Sequence, residues 1–507
     1  MIVKIALLIV FFAIMVGVGI YSNKHTKSVD DFVLGGRTVG PWLTAFAYGT
    51  SYFSAVVFVG YAGQFGWKYG LASTWIGIGN AVIGSLVAWV VLGRRTRVMS
   101  QHLQSKTMPD FFGERYQSKS LKIVASMIVF VFLVPYTASV YNGLSRLFGM
   151  AFNIPYEICV IVMAIFTALY VILGGYMATA INDFIQGIVM LLGIVAVIAA
   201  VLSGQGGFIE AVRKLAEIPS DVPVTMGQQG AFTSFFGPDP INLLGVVVLT
   251  SLGTWGLPQM VHKFYAIKDE KSIKTGTIIS TFLAIIISGG CYFLGGFGRL
   301  FDHASIYDAG GKVVYDSIVP FMLSKLPDIL IGIVIVLVLS ASMSTLSSLV
   351  LTSSSTLTLD FLKGNVIKKM SEKKQVVVMQ ALIVFFIVLS VVIALDPPTF
   401  IAQLMGISWG ALAGAFLAPF LYGLYWKKVT KAAVWASFAS GVGITVANMI
   451  HPFIASPINA GAIAMIVGLI LVPVVSLITP KPNKETVDDI FKCYDESVTT
   501  SKKSRLE

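Results

Sequence analysis

Pro41-Trp42-Leu43-Thr44-Ala45-Phe46-Ala47-Tyr48-Gly49-Thr50-Ser51-Tyr52-Phe53-Ser54 and, far along the chain, Thr250-Ser251-Leu252-Gly253-Thr254-Trp255-Gly256-Leu257-Pro258 decide how this sequence folds. Each stretch lies in a long apolar run. Yet the first is dense in Gly, Ser, Thr and Tyr, and the second carries Gly and Pro at its middle. About 20 apolar residues cross a hydrocarbon core of ~30 Å. Gly and Pro interrupt such a helix, and the carbonyls they free are tolerated where they face a cavity or other protein. The plainer alternative is small-residue helix packing with a proline kink. Counted along the chain, the two runs are the second and the seventh. Matched interruptions five spans apart point to an inverted repeat with a binding site at the bilayer midplane.

Working outward, the 507 residues are 56% hydrophobic and 12% charged, against roughly 25% charged in a soluble domain. About thirteen runs are long enough to span. They include 41–62, 184–203, 240–261 and 329–353, and the reading is an all-α integral membrane protein. The first run, 3–22, is longer than a signal-peptide core and lacks a small-residue cleavage site, so it is expected to be a retained helix. The net charge of +11 is unevenly placed: alternate loops and the end of the chain hold 28 of the 36 Lys and Arg. Positive loops stay cytoplasmic. The N-terminus is therefore expected outside and the C-terminus inside an inner (cell) membrane, in contact with lipid and not nucleic acid. Residues 1–480 form the transmembrane transporter domain, and 481–507 a solvated cytoplasmic tail. Three cysteines show no metal spacing and no disulfide framework.

The ninth run ends in Ser340-Ala341-Ser342-Met343-Ser344-Thr345-Leu346-Ser347-Ser348. Ser340, Ser344 and Ser348 share one helical face with Ala341 and Thr345. Oxygens along one face suit a hard cation that sheds its water. Such serines also bond back to the preceding turn or hold helices together. The runs carry almost no ionisable residue near their centres, whereas proton-coupled carriers generally need a carboxylate or His relay there. Sodium is favoured over protons. Asp183 sits at the cytoplasmic start of the sixth run and is open to two readings, a functional carboxylate or a helix N-cap. Tyr52, Tyr136, Tyr141 and Trp255 line a solute pocket or anchor at the interface.

These residues resemble the sodium:solute symporter family over about 30–430. The likeness is carried jointly by Phe32-Val33-Leu34-Gly35-Gly36-Arg37, Thr50 to Ser54, Gly174-Gly175 with Asn182-Asp183-Phe184-Ile185-Gln186, Gly256-Leu257-Pro258 and Met343-Ser344-Thr345-Leu346-Ser347. The resemblance implies an inverted five-plus-five helix core, the LeuT-like transporter fold. It further implies a sodium site of backbone carbonyls from Thr50, Phe53 and Ala341 with the hydroxyls of Ser344 and Thr345. Asp183 matches an acidic residue on the inward sodium pathway. Tyr52, Ser54, Tyr136, Thr254, Trp255 and Pro258 are the candidate substrate-binding residues. Proline carriers of the family have an acidic residue where this chain has Tyr52, and several stretches are similar to the pantothenate branch. Pantothenate, proline and short monocarboxylates all stay open, with a broken-helix N-terminus to receive a carboxylate.

The expected function is thus sodium-coupled import of a small, carboxylate-bearing solute, with no cofactor and sodium as the co-transported ion. A proton-coupled carrier of a similar solute is the alternative, and a solute-sensing receptor a more distant one. A channel would show a filter segment. An enzyme would need paired His, Asp or Glu inside the spans, and the five histidines fall in loops or at span ends.

Overall fold

The computed structural model describes residues 2–24, 28–363, 365–367 and 369–498, and of Ile2, Val3, Asn23, Tyr52, Tyr170 and Leu173 the backbone alone. It is helical throughout, with three isolated β-bridges and no longer strand among the described residues. Each of the expected apolar runs is helical, although their lengths and breaks differ from the sequence reading. Among the described residues, ten helices are long and apolar enough to cross a membrane, or up to eleven if the bent pair Pro240–Gly256 and Pro258–Tyr265 is one span. The figure falls below thirteen partly because 56–102, read as parts of two spans, counts as one long helical stretch.

Both interrupted spans are broken where the sequence placed the interruption. Helix Pro41–Tyr52 stops at Phe53, whose φ −110° and ψ 126° are extended, and helix resumes at Val56. In the seventh span, Leu257 is extended and Pro258 opens helix Pro258–Tyr265, bent 45° from the preceding half. Proline suits a first helical turn, where its missing N–H is not needed. The start of the second span lies beside the end of the seventh. Their ends meet where the Val39 N–H donates to the Ala266 carbonyl and the Lys268 N–H to the Val39 carbonyl. Beside this junction Arg37 reaches the Ser105 carbonyl at 2.7 Å and the Ser100 hydroxyl at 3.1 Å.

The fifth and sixth spans form one helical run, Tyr156–Gly204, with a single non-helical residue at Gly175 (φ 56°, ψ −159°). Residues 179–183, read as a connection, and 176–178, read as the end of the fifth run, therefore belong to the sixth span. Asp183 lies two turns inside it and is buried, so it is no N-cap. The ninth span, Asp328–Thr356, runs through the centre, sheathed by protein from Ile331 onward except on one flank of its first half. Outward-facing Ile9, Val90, Leu192, Ile278, Val392 and Ile470 are all more than half exposed. An apolar surface on that scale fits lipid rather than water.

The tail differs from the solvated end expected. Helix Lys484–Phe491 and the turn after it dock on the bundle. Arg95 lies between the Tyr425 and Tyr494 rings, the Tyr494 hydroxyl reaches the Leu424 carbonyl, His102 meets Glu496, and Cys493 is buried.

Candidate ion and solute site

Breaking a helix frees carbonyls, and the centre of this bundle is built around them. The Thr345 hydroxyl, from the ninth span, lies 3.3 Å from the Ser51 carbonyl, 3.2 Å from that of Phe53 and 3.1 Å from that of Ala341. One hydroxyl donates one proton. Three carbonyls around it leave the cluster rich in acceptors and short of positive charge. The Ser344 hydroxyl, one residue away, donates at 2.7 Å to the Thr50 hydroxyl, which itself donates to Phe46. All these groups are buried. Clustered neutral oxygens can replace the hydration shell of a small hard cation.

Of the expected ion ligands, Phe53, Ala341, Ser344 and Thr345 come together as read. Thr50 is present too, but it meets Ser344 through its hydroxyl, while its carbonyl accepts from the Phe53 N–H. The Ser51 carbonyl was not foreseen, because sequence cannot say which oxygen a break turns inward. Ser342 was also missed. Its hydroxyl accepts from the Ala55 N–H, and that of Ser54 from Val56 N–H. The amides at the start of the half-helix after the break, expected to receive a carboxylate, are thus capped by serines.

Near the start of the sixth span lies a charge pair that the sequence reading did not contain. Lys263 was assigned to a loop among the positive residues. It instead sits in helix Pro258–Tyr265, fully enclosed, with its ammonium 3.6 Å from Asp183 and 3.0 Å from the Ser348 hydroxyl. Ser348 in turn contacts Ser51 at 2.8 Å, and Asp183 faces Ser344. A buried pair links the sixth and seventh spans to the rim of the carbonyl cluster. The expectation of nearly charge-free spans is corrected by this pair, and His262, next to it, is buried as well.

The candidate solute residues divide. Tyr136 and Ser54 face each other, and Trp409, which the sequence did not suggest, packs edge-on to Tyr136 at 5.9 Å between centroids. Nearby, in the helix that follows the break, Tyr61 and Gln64 carry polar atoms with no hydrogen-bond partner among the described residues, as does Ser408 beside Trp409. Orphan buried polar groups are costly and call for a partner. Thr254 and Trp255 are engaged elsewhere, bonded to the Gly84 and Ile83 carbonyls of the third span. A π-helical stretch, Asn80–Val87, carries those two carbonyls. Pro258 shapes the bend. The Tyr52 side chain lies outside the described set. No cluster of His, Cys, Asp and Glu suited to a resident metal occurs among the described residues.

The profile of the sodium:solute symporter family matches residues 32–441. An osmoregulated proline transporter of Bacillus subtilis is 29% identical over 485 residues, covering 94% of each chain. A sodium/proline symporter of Staphylococcus aureus is 29% identical over 516 aligned positions, covering 96% of this chain and 94% of that one. Among solved structures, a substrate-bound, outward-open sodium-coupled sialic acid symporter aligns with a TM-score of 0.73 at 17% identity, over 95% of this chain and 99% of the other. At that identity the likeness speaks for the fold, a LeuT-like bundle.

Proposed function

The chain belongs to the sodium:solute symporter family, and on that premise we propose that it is a sodium-coupled symporter importing a small carboxylate-bearing solute across the cell membrane. It is a carrier, not an enzyme. The observation that carries the ion reading is the Thr345 hydroxyl surrounded by three carbonyls from two helices. A sodium ion there would take the carbonyls of Ser51, Phe53 and Ala341 and the hydroxyls of Ser344 and Thr345, with Thr50 held in support. Asp183 would receive the ion on its way inward, with Lys263 as its resident counter-charge. The solute would lie on the outer side of the break, against Tyr136, Ser54 and Trp409. Proline is the leading candidate because the relatives above carry it, with pantothenate and short monocarboxylates as the other members of the panel. The charge asymmetry of the loops supports an external N-terminus and a cytoplasmic tail, with 1–480 as the transport domain.

The test is the sodium concentration that gives half-maximal uptake. Thr345→Ala and Ser344→Ala each remove one oxygen and leave packing nearly intact. Losing a ligand in so small a site costs about 1–3 kcal/mol, so half-saturation should rise about tenfold. Ser354→Ala is the control, since that buried hydroxyl bonds back to Leu351 in its own helix. Equal shifts in all three variants, or none in the first two at normal abundance, would place the ion elsewhere.

A further inference from the structure

Near the end of the fourth span, Lys119–Phe152, that span and the helix Tyr315–Ser324 line a cleft of about 480 Å³. On the proposed topology it opens to the outside. Its walls carry two opposite charges, Arg146 and Asp316, with Ser145, Tyr156 and Ser317 between them. Asp316 is 1% exposed. One of its oxygens accepts from the Ile401 N–H at 3.2 Å, and the other has no partner among the described residues. Arg146 is held by the Asn142 side chain at 2.8 Å through its Nε, which leaves the rest of the guanidinium facing the cleft. The two charges feel each other but form no ion pair within 4 Å among the described residues. An unpaired buried carboxylate oxygen is expensive. Something that brings both signs of charge would relieve it.

We propose that this cleft is an outer staging site for a zwitterionic solute, with the solute's carboxylate on Arg146 and its cationic nitrogen on Asp316. A guanidinium takes a carboxylate through paired N–H groups, and the orphan oxygen of Asp316 takes the ammonium. Burial pushes the Asp316 carboxyl up to about 6, with Arg146 pulling it back, so it is ionised at pH 7.5. Below the cleft the same helix offers a route inward. Ser145 and the Asn142 amide nitrogen are buried without partners among the described residues. Tyr136 follows nine residues deeper, about 13 Å at 1.5 Å per residue. The site therefore selects an amino-acid-like solute over a simple monocarboxylate, and in that sense it rests on the solute-carrier reading above.

The test uses the full-length protein in sealed membranes, in sodium-free buffer at pH 7.5. Ser317→Cys places a thiol in the cleft wall, while the native Cys159, Cys291 and Cys493 are buried. Labelling by a membrane-impermeant maleimide should be slowed several-fold by L-proline. Prolinamide, which lacks the carboxylate, and tetrahydrofuran-2-carboxylate, which lacks the charged nitrogen, should leave the rate unchanged. Adding Arg146→Gln or Asp316→Asn should abolish protection. If either charge variant fails to reach the membrane, the analogue comparison on Ser317→Cys alone decides. No slowing by L-proline, or equal slowing by either analogue, overturns the proposal. Because labelling needs neither sodium nor transport, a wild-type protein that shows no sodium-driven uptake would sink the carrier reading without touching this result.

Discussion

Ser340, Ser344 and Ser348 look alike in the sequence, one stripe repeating every four residues, but the structure gives them three different surroundings. Ser344 faces Thr50, Ser348 joins Ser51 to Lys263, and Ser340 has no hydrogen-bond partner among the described residues. Helical spacing reveals which side chains share a face. It does not reveal what stands opposite, and so Lys263 and Trp409 stayed invisible. Lys263 was hidden for a physical reason: a lysine just past an apolar run reads as a loop charge, until the bend at Leu257 turns its helix back into the bundle. Removing one member of a buried ion pair costs about 3–5 kcal/mol because the other is left uncompensated. Lys263→Met should therefore lower the yield of folded protein. Lys263→Met with Asp183→Asn should restore yield but not transport, as read by detergent-extracted protein and by uptake. Normal yield and normal uptake in the single variant would show the pair to be incidental.

Among the helices, the breaks were the most legible feature, because Gly, Pro and hydroxyl residues weaken an apolar helix and stand out against the Leu, Ile and Val around them. The connection between the fifth and sixth spans was less legible. Gly174-Gly175 fell inside the run read as the fifth span, 157–178, and the small residues Ala178, Thr179 and Ala180 do not say whether helix resumes at once. It does, and this carries Asp183 into the bundle. Gly175 adopts a conformation open essentially to glycine, and a Cβ there would lie 2.9 Å from the Phe32 ring and 3.0 Å from the Phe32 carbonyl. Gly175→Ala should cost ~1–3 kcal/mol in backbone strain alone and tilt the sixth span. The expected outcome is a lower thermal unfolding temperature of the purified protein, together with weaker sodium dependence as Asp183 shifts. An unchanged melting temperature would mean that the break is not held by this residue. The docked tail was also unreadable, since a charged, proline-marked segment looks solvated until Arg95 and Tyr494 are seen stacked.

For the molecule as a whole, composition and hydropathy were enough to identify a multi-pass membrane carrier, and the order of its motifs to identify the family. Counting spans was harder, because adjoining helices merge through 56–102 and 156–204 where sequence shows separate runs. The solute is the least legible part. The pocket proposed for it draws on Ser54 in the break of the second span and on Tyr136 and Trp409 from two other helices. Coupling, by contrast, rests on the family and on the neutral oxygens gathered at the break, with the paired Asp183 and Lys263 beside them. One inward charge gains ~2.3 kcal/mol per 100 mV, so both a sodium gradient and a negative-inside potential should energise transport. The most direct measurement is uptake of labelled L-proline, pantothenate and short monocarboxylates by proteoliposomes holding the purified protein, under an inward sodium gradient, a potential alone, or a pH gradient alone. The account predicts accumulation of one of these solutes that requires sodium and is increased by the potential. Equal accumulation on a pH gradient in the absence of sodium would contradict it.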